Sequence, residues 1–348
     1  MADERFLVIR LGSLGDIVHA LPGVAALRDS FPSARIDWVV ERRWAALLHG
    51  NPDLNEVIAL DRSSWGAVRA CVRRLRAARY SCAIDFQGLY KSALLGFLSG
   101  AGQRVGFARR LAREGGAALF YTQRASPPAG HIVEQNLALA ESAGARRTGC
   151  RFTLRVPAEA EASVARRLAA NGLREFFLLS PGGGWRSKCW PPERYGELYR
   201  ELALRRGWRG VVNFGPGESG LAEAVCRAAT PEEPVVFQTD VAELMALLRR
   251  AKIVVAGDTG PLHLAVALGT RVVGLYGPTD PQRNGPYCAD DIVVRNARPE
   301  ETTYKRWNEF SAAMLSITVE QVVAAVERRL AHAPRERAEE NQRPGATG

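Results

Sequence analysis

The sequence predicts an α/β fold of two consecutive, doubly wound parallel-sheet domains, and three observations carry that expectation. Short β-branched runs alternate with amphipathic stretches of helical period, the pattern of βαβ units. The alternation is interrupted at Gly144–Glu161, a stretch with Gly, Pro and several arginines, and then restarts. The chain of 348 residues also exceeds what one hydrophobic core usually organises, so two domains of roughly 150 residues each are expected.

In the first half the β-branched or aromatic runs Phe6–Arg10, Ile36–Val40, Val57–Leu60 and Cys82–Phe86 read as strands. Helices of amphipathic spacing are expected near Ile17–Ser30, Trp65–Ala78 and Lys91–Ser99. The second half offers strands at Phe176–Ser180, Gly210–Phe214, Val235–Gln238, Ile253–Ala256 and Arg271–Leu275, most of them followed by a helical pattern. A last helix runs from Val319 to about Ala331. The expected division is therefore residues 1–155, residues 156–332 with the final helix, and a tail, 333–348, whose lack of aromatics and β-branched pairs predicts disorder. Open α/β sheets bind ligands outside the carboxyl ends of their strands, so function is sought at strand-to-helix turns in a central cleft.

Composition narrows the class. With 47% hydrophobic and 24% charged residues the chain is neither collagenous, mainly disordered nor a disulfide-stapled miniprotein. Its first apolar run is too short for a signal segment and ends at Arg10, and no run of about 18 apolar residues follows, so a cytoplasmic, non-spanning protein is expected. Six scattered cysteines, with no C-x-x-C pair and no histidine at ligand spacing, read as reduced, mostly buried thiols, with no metal site. The net charge of +10 is uneven: residues 1–155 hold 22 Lys and Arg against 13 Asp and Glu, which leaves the remainder nearly neutral. The first half therefore faces an anionic partner: nucleic acid, a membrane surface or a phosphorylated substrate.

Four turns carry chemistry. The first, R-L-G-S-L-G-D-I-V-H-A-L-P (Arg10–Pro22), follows the first strand; Gly12 and Gly15 permit a tight turn, and Asp16 falls at the helix start, where it either caps the helix or serves as a general base. His19, one turn on, reads as structural. The second, S-P-G-G-G-W-R-S-K-C-W-P (Ser180–Pro191), exposes backbone N–H groups at Gly183 and Gly184 that can ring phosphate oxygens, with Lys188 as a point charge; it is not a Walker A sequence. The third, N-F-G-P-G-E-S-G (Asn213–Gly220), formally matches G-x-G-x-x-G at Gly215, Gly217 and Gly220, with Glu232 or Asp240 as loose ribose candidates, but Pro216 removes a donor and the turn does not open its domain. The fourth, V-V-A-G-D-T-G-P-L-H-L-A-V-A-L-G (Val254–Gly269), runs a buried strand into a helix whose first turn holds Asp258, Thr259 and Gly260, a ready site for a diphosphate, with His263 one turn inside. Asp258 there is either a helix cap or a binder of a sugar or ribose hydroxyl.

Together with I-D-F-Q-G-L-Y-K-S-A-L (Ile84–Leu94), K-C-W-P (Lys188–Pro191), G-D-T-G-P-L-H-L-A (Gly257–Ala265) and Y-G-P-T-D-P (Tyr276–Pro281), the first turn makes the chain resemble the bacterial lipopolysaccharide heptosyltransferases of glycosyltransferase family nine, more particularly the heptosyltransferase I type. The likeness spans about Phe6 to Ala331, in order and at the right spacing. It implies a GT-B fold, two Rossmann-like domains facing a central cleft, with the acceptor on the first and a nucleotide sugar on the second. It further implies inverting, metal-independent transfer of heptose from ADP-L-glycero-β-D-manno-heptose to Kdo of the inner core, without a cofactor.

By the same resemblance Asp16 corresponds to the general base, and Lys188, Asp258, Thr259, Gly260 and His263 to donor-site residues, with Glu218 a looser match. Ser13, Gly15 and Lys91 fall in acceptor-side motifs; Arg62, Arg109, Arg110 and Arg113 are acceptor candidates from charge alone. The partners implied are ADP-heptose and an anionic Kdo-lipid A acceptor at the inner membrane, where arginines of Trp65–Tyr80 could meet headgroups, and no nucleic acid. Members of this type carry hydroxyl residues where this chain has Gly182, Gly183 and Gly184, so a GT-B transferase using another nucleotide sugar is the alternative, with a nicotinamide-dependent oxidoreductase behind it.

Overall fold

The computed structural model describes residues 4–147 and 149–332, and the expected disordered tail, 333–348, lies outside the described residues. The run R-F-L-V-I becomes strand β1 (Arg5–Ile9), covered on both faces, with Leu7, Val8 and Ile9 fully buried. Five more strands join it: β2 (Arg35–Glu41), β3 (Glu56–Leu60), β4 (Cys82–Asp85), β5 (Gln103–Phe107) and β6 (Gln123–Ala125). Their order is β3-β2-β1-β4-β5-β6, all parallel, with Phe6 facing both Ile36 and Cys82.

A second parallel sheet repeats the plan. Strands β7 (Phe176–Ser180), β8 (Arg209–Phe214), β9 (Val235–Gln238), β10 (Ile253–Gly257), β11 (Val272–Leu275) and β12 (Ile292–Val294) stand in the order β12-β11-β10-β7-β8-β9. In each sheet the direction of winding reverses beside the first strand, between β1 and β4 and between β7 and β10. Such a switch point leaves a crevice at the carboxyl ends of the two strands. It brings the turns after Ile9 and Asp85 together in one sheet, and those after Ser180 and Gly257 together in the other.

Why these segments hold is a matter of burial. The helix Leu14–Ser30 is buried along nearly its whole length and packs on the helix Ile132–Ser142. In the second sheet Trp190, Tyr195 and Tyr199 are fully buried among Leu179, Val255 and Val323, so the K-C-W-P motif is anchored by its tryptophan, whose indole N–H donates to the Ile317 carbonyl at 3.1 Å. Each such side chain contributes about 1.5–3 kcal/mol over its exposed state.

By its contacts the chain forms two units. One joins the described residues up to 162 with 241–243 and 280–287; the other holds 163–240, 244–279 and the described residues from 288 onward. In the first unit the segment 280–287 is held by two side chains of the Ile132–Ser142 region: Gly285 O meets His131 Nε2 at 3.0 Å, and the Tyr287 hydroxyl donates to Glu134.

Three strands escaped the sequence reading. β6 and β12 are three-residue edge strands, and β5 opens on two polar residues, so none presents a long β-branched run. The helix Ala158–Ala170 begins inside the stretch read as a crossing. All six cysteines are free, but only Cys71 and Cys82 are buried; Cys189, Cys226 and Cys288 are partly exposed and Cys150 is exposed, a correction to the expectation of mostly buried thiols. Those four lie on turns, connectors or a helix flank rather than on a sheet face. Among the described residues no helix is long and apolar enough to cross a membrane.

Candidate functional site

Each switch point holds a carboxylate beside a buried or mostly buried cation, Arg10 in one and Lys188 in the other. In the first unit the chain leaves β1 through Arg10, Leu11 and Gly12, turns at Ser13 and enters the helix, which sets Asp16 in its first turn. The Ser13 N–H and hydroxyl both donate to Asp16 Oδ2, at 3.2 and 3.1 Å. Asp16 therefore does cap the helix, and it also does more. Arg10, buried, places Nη2 2.7 Å from Asp16 Oδ1, and Arg113 reaches Oδ2 at 3.5 Å from a loop 97 residues away. Burial opposes ionisation of Asp16, but the Arg10 and Arg113 charges, His19 and the Ser13 N–H outweigh it and hold the carboxyl well below its ordinary range. The side chain stays a fifth exposed, so an ionised oxygen is accessible.

The turn after β1 is braced by the residues that follow β4. Arg10 donates through Nη1 to the Phe86 carbonyl, and Leu11 N–H donates to Gln87 Oε1 at 2.8 Å. Gln87 is itself fixed by Asp85, whose Oδ1 accepts from the Gln87 N–H at 2.8 Å while Oδ2 accepts from Tyr121 and Ser92 at 2.6 and 2.8 Å. The D-F-Q-G-L-Y-K-S segment is thus a support for the first turn as well as the carrier of Lys91. Gly12 is closely approached, because a Cβ there would stand 3.0 Å from the Trp44 indole nitrogen.

Beside this loop Glu41 gathers three cations. Its N–H donates to the Leu11 carbonyl at 3.0 Å, which ties the end of β2 to the turn. Its carboxylate pairs with Arg62 at 2.6 Å, Arg43 at 3.0 Å and Lys91 at 3.9 Å. Burial works against the charge on Glu41, but the Arg62 hydrogen bond and the Arg43 and Lys91 charges keep its carboxyl below the usual range. Of the acceptor candidates, Ser13, Lys91, Arg62 and Arg113 therefore converge around the turn after β1, while Gly15 is buried inside the helix and Arg109 and Arg110 are exposed on the loop after β5. His19 is buried, its ring edge-on to His131.

In the second unit the S-P-G-G-G-W-R-S-K-C-W-P turn joins β7 to the helix Pro192–Arg206. Lys188 is mostly buried, with Nζ 3.5 Å from Asp258 Oδ2 and 4.2 Å from the centre of the Trp185 ring. Asp258 Oδ1 also meets His263 Nε2 at 3.1 Å. Burial again opposes the charge, and the His263 hydrogen bond with the Lys188 ammonium overrides it, holding the Asp258 carboxyl well below its ordinary range. The Thr259 hydroxyl donates to the Gly257 carbonyl at 3.2 Å rather than capping the helix Gly260–Ala267, whose first turn includes Pro261, a residue without an N–H. Lys188, Asp258, Thr259, Gly260 and His263 come together as the motifs imply.

Two glycines of that turn are closely approached. A Cβ at Gly182 would lie 2.6 Å from the Glu218 carboxylate, and one at Gly183 2.5 Å from Cys189 Sγ; Gly184 faces open space. Glu218 accepts from the Gly215 N–H at 2.9 Å, so the G-P-G-E-S-G turn spends one donor on its own carboxylate and lacks another at Pro216. That arrangement argues against a dinucleotide pyrophosphate there. Residues the motifs did not reveal are Arg10, which reads as a strand end, Arg43 and Glu41, and Arg306, whose guanidinium lies 4.9 Å over the Trp185 ring. Only the adjacency of Arg10 to the L-G-S-L-G-D turn could have signalled any of these. Among the described residues no group of three or more His, Cys, Asp or Glu is placed to hold a metal ion.

Solved structures with this architecture define the class. The chain superposes on a glycosyl transferase family 9 structure from Veillonella parvula with TM-score 0.83 at 23% identity, covering 95% of this chain and 98% of that one. It superposes on E. coli heptosyltransferase WaaC with ADP-2-deoxy-2-fluoro heptose with TM-score 0.72 at 28% identity, covering 93% and 99%. The fold is that of a GT-B glycosyltransferase. Residues 68–313 match the model of glycosyltransferase family 9 (heptosyltransferase), and lipopolysaccharide heptosyltransferase 1 of Pseudomonas aeruginosa is 31% identical over 308 residues, 85% of this chain and 84% of that protein. The chain belongs to glycosyltransferase family 9, and it is an enzyme of the heptosyltransferase kind.

Proposed function

We propose that the enzyme transfers heptose from ADP-L-glycero-D-manno-heptose to a Kdo hydroxyl of the lipopolysaccharide inner core, with inversion and without a metal, at the cytoplasmic face of the inner membrane. The observation that carries the reading is Asp16: an ionised, accessible carboxylate set by a helix start between Arg10 and Arg113.

The chemistry follows from the two carboxylate sites. Asp16 takes the proton of the acceptor hydroxyl as that oxygen attacks the anomeric carbon, in line with the departing diphosphate. The low proton affinity that Arg10 and Arg113 impose keeps Asp16 ready as a base but weak. An acceptor bearing carboxylates or phosphates competes for those guanidinium groups and so restores basicity when substrate is bound. Lys91, Arg62 and Arg43, gathered by Glu41, supply further cations for such an acceptor. On the donor side Lys188 and the first-turn amides of Gly260–Ala267 meet the charge growing on the ADP leaving group, with Asp258 and His263 holding Lys188 in place. That cationic provision supports the metal-independent reading. Glu218, beside Gly182, is set to accept from a ribose hydroxyl.

The test is transfer from ADP-L-glycero-D-manno-heptose to Kdo-lipid A, with and without EDTA, alongside thermal shifts with ADP, UDP and GDP. Transfer that survives EDTA, with stabilisation by ADP alone, is the expected result. Stabilisation by UDP or GDP with no heptose transfer would move the donor to another nucleotide sugar.

A further inference from the structure

The helix Tyr90–Leu98 is apolar on two sides. Its inner side, Ser92, Ala93, Leu95 and Gly96, is buried. Its outer side carries Tyr90, Leu94 and Phe97 along one helical stripe, 52%, 42% and 51% exposed. The turn Gly115–Phe120 beside it adds Leu119, 79% exposed. These form one patch, because Tyr90 lies directly on Gly116 and the Phe97 ring meets Phe120 at 5.9 Å. A helix on a water-facing surface carries polar residues outward, and a contiguous exposed apolar patch marks a surface that meets something.

The surrounding charge selects the partner. Residues 90–121 hold five cations, Lys91, Arg104, Arg109, Arg110 and Arg113, against the single acid Glu114. That carboxylate accepts from the Tyr90 backbone N–H at 2.6 Å, and the Arg104 guanidinium sits 5.5 Å over the Phe97 ring. Exposed apolar side chains in a stretch so rich in cations suit the headgroup boundary of an anionic bilayer, where the rings and leucines enter the acyl edge and the cations meet lipid charge. The same two segments reach the acceptor side: Lys91 follows Tyr90 and pairs with Glu41, and Arg113, on the loop leading to Leu119, pairs with Asp16.

We infer that the helix Tyr90–Leu98 and the turn Gly115–Phe120 form a docking surface for an anionic bilayer. The inference deepens the proposed function, since it rests on a lipid-anchored acceptor and puts the Asp16 turn next to the membrane that would present it. The surface differs from the one expected of the arginines of Trp65–Tyr80, because here exposed rings and leucines accompany the charge.

The experiment is co-sedimentation of the full chain with vesicles of phosphatidylcholine, alone or mixed with phosphatidylglycerol, without sugar substrates. Wild type should bind the anionic vesicles, less at high salt. The triple variant L94S/F97S/L119S should lower partition at least about tenfold while keeping its thermal unfolding profile, since all three side chains are exposed. L204S, which removes a leucine 75% exposed in the second unit, should bind as wild type. Transfer to a soluble, delipidated acceptor should be the same for the triple variant and wild type, and transfer to a vesicle-embedded acceptor should fall. Unchanged partition of the triple variant would overturn the inference. So would wild type that ignores vesicles but self-associates through the patch in sedimentation velocity. Vesicle binding through the patch without heptose transfer would leave the surface standing and remove the donor and acceptor assignment instead.

Discussion

The two carboxylate sites are built to one plan and differ in what their carboxylate can still do. Asp16 and Asp258 both follow the first or central strand of a parallel sheet, both sit at a helix start, and both are held ionised by cations against burial. Asp16 is paired with two guanidinium groups and keeps a fifth of its side chain exposed, whereas Asp258 is almost wholly covered and paired with an ammonium and an imidazole. An accessible carboxylate can exchange a proton with a substrate; a covered one can only orient its neighbours. Under the proposed function the same device serves as a reagent in one unit and a bracket in the other.

Substitutions can break that contrast. The largest effect is expected for Asp16→Asn, which should lower kcat by at least about a hundredfold, a general-base contribution, while calorimetric ADP affinity stays within about twofold. Equal losses of kcat and ADP affinity would make Asp16 a second bracket. Asp258→Ala should do the reverse. It leaves the mostly buried Lys188 without its counter-ion, so denaturant unfolding should show a loss of roughly 3–5 kcal/mol, larger than for Asp16→Asn. Lys188→Ala comes next, with ADP affinity down about tenfold, as loss of a charge-assisted contact entails; an unchanged affinity would assign the diphosphate to the helix amides alone.

The smallest change sharpens the comparison. Arg113→Gln removes one of the charges that depress Asp16, so its pH-rate profile should show an acid limb moved upward, toward the ordinary carboxylate range. The sign follows from which form is active: a depressed carboxyl stays ionised until pH falls through its lowered value. The stability from these pairs is likewise complete above the unfolded value near 3.9 and lost as pH falls through the folded one. An unmoved limb would show that Arg113 takes no part and that Arg10, His19 and the Ser13 N–H set it.

Legibility in the sequence followed the range of the interaction. Strands with long β-branched runs, such as Ile253–Gly257, and turns whose glycines and acid lie within a few residues, such as Gly257–Gly260, announce themselves locally. β6 and β12 do not, because three residues at an edge need no apolar alternation. Asp16 and Lys188 were readable from their motifs, but their partners were not. The Arg113–Asp16 contact spans 97 residues and Arg62–Glu41 spans 21, so each exists only once the sheet has ordered its strands. Asp85 shows the limit from the other side: its motif was visible, yet its work of holding Gln87, and through it the Leu11 amide, appears only in three dimensions.

The first unit is assembled from three stretches of chain, the last being 280–287, held by His131 and Glu134. Cutting the gene once, near codon 162, does not separate two modules. A chimera that exchanged C-terminal halves between relatives at that point would import a foreign 280–287 against the native His131 and Glu134. Recombination that keeps all three stretches native needs five junctions, and a single junction needs matched residues at Gly285 and Tyr287 if the 280–287 contacts are to survive.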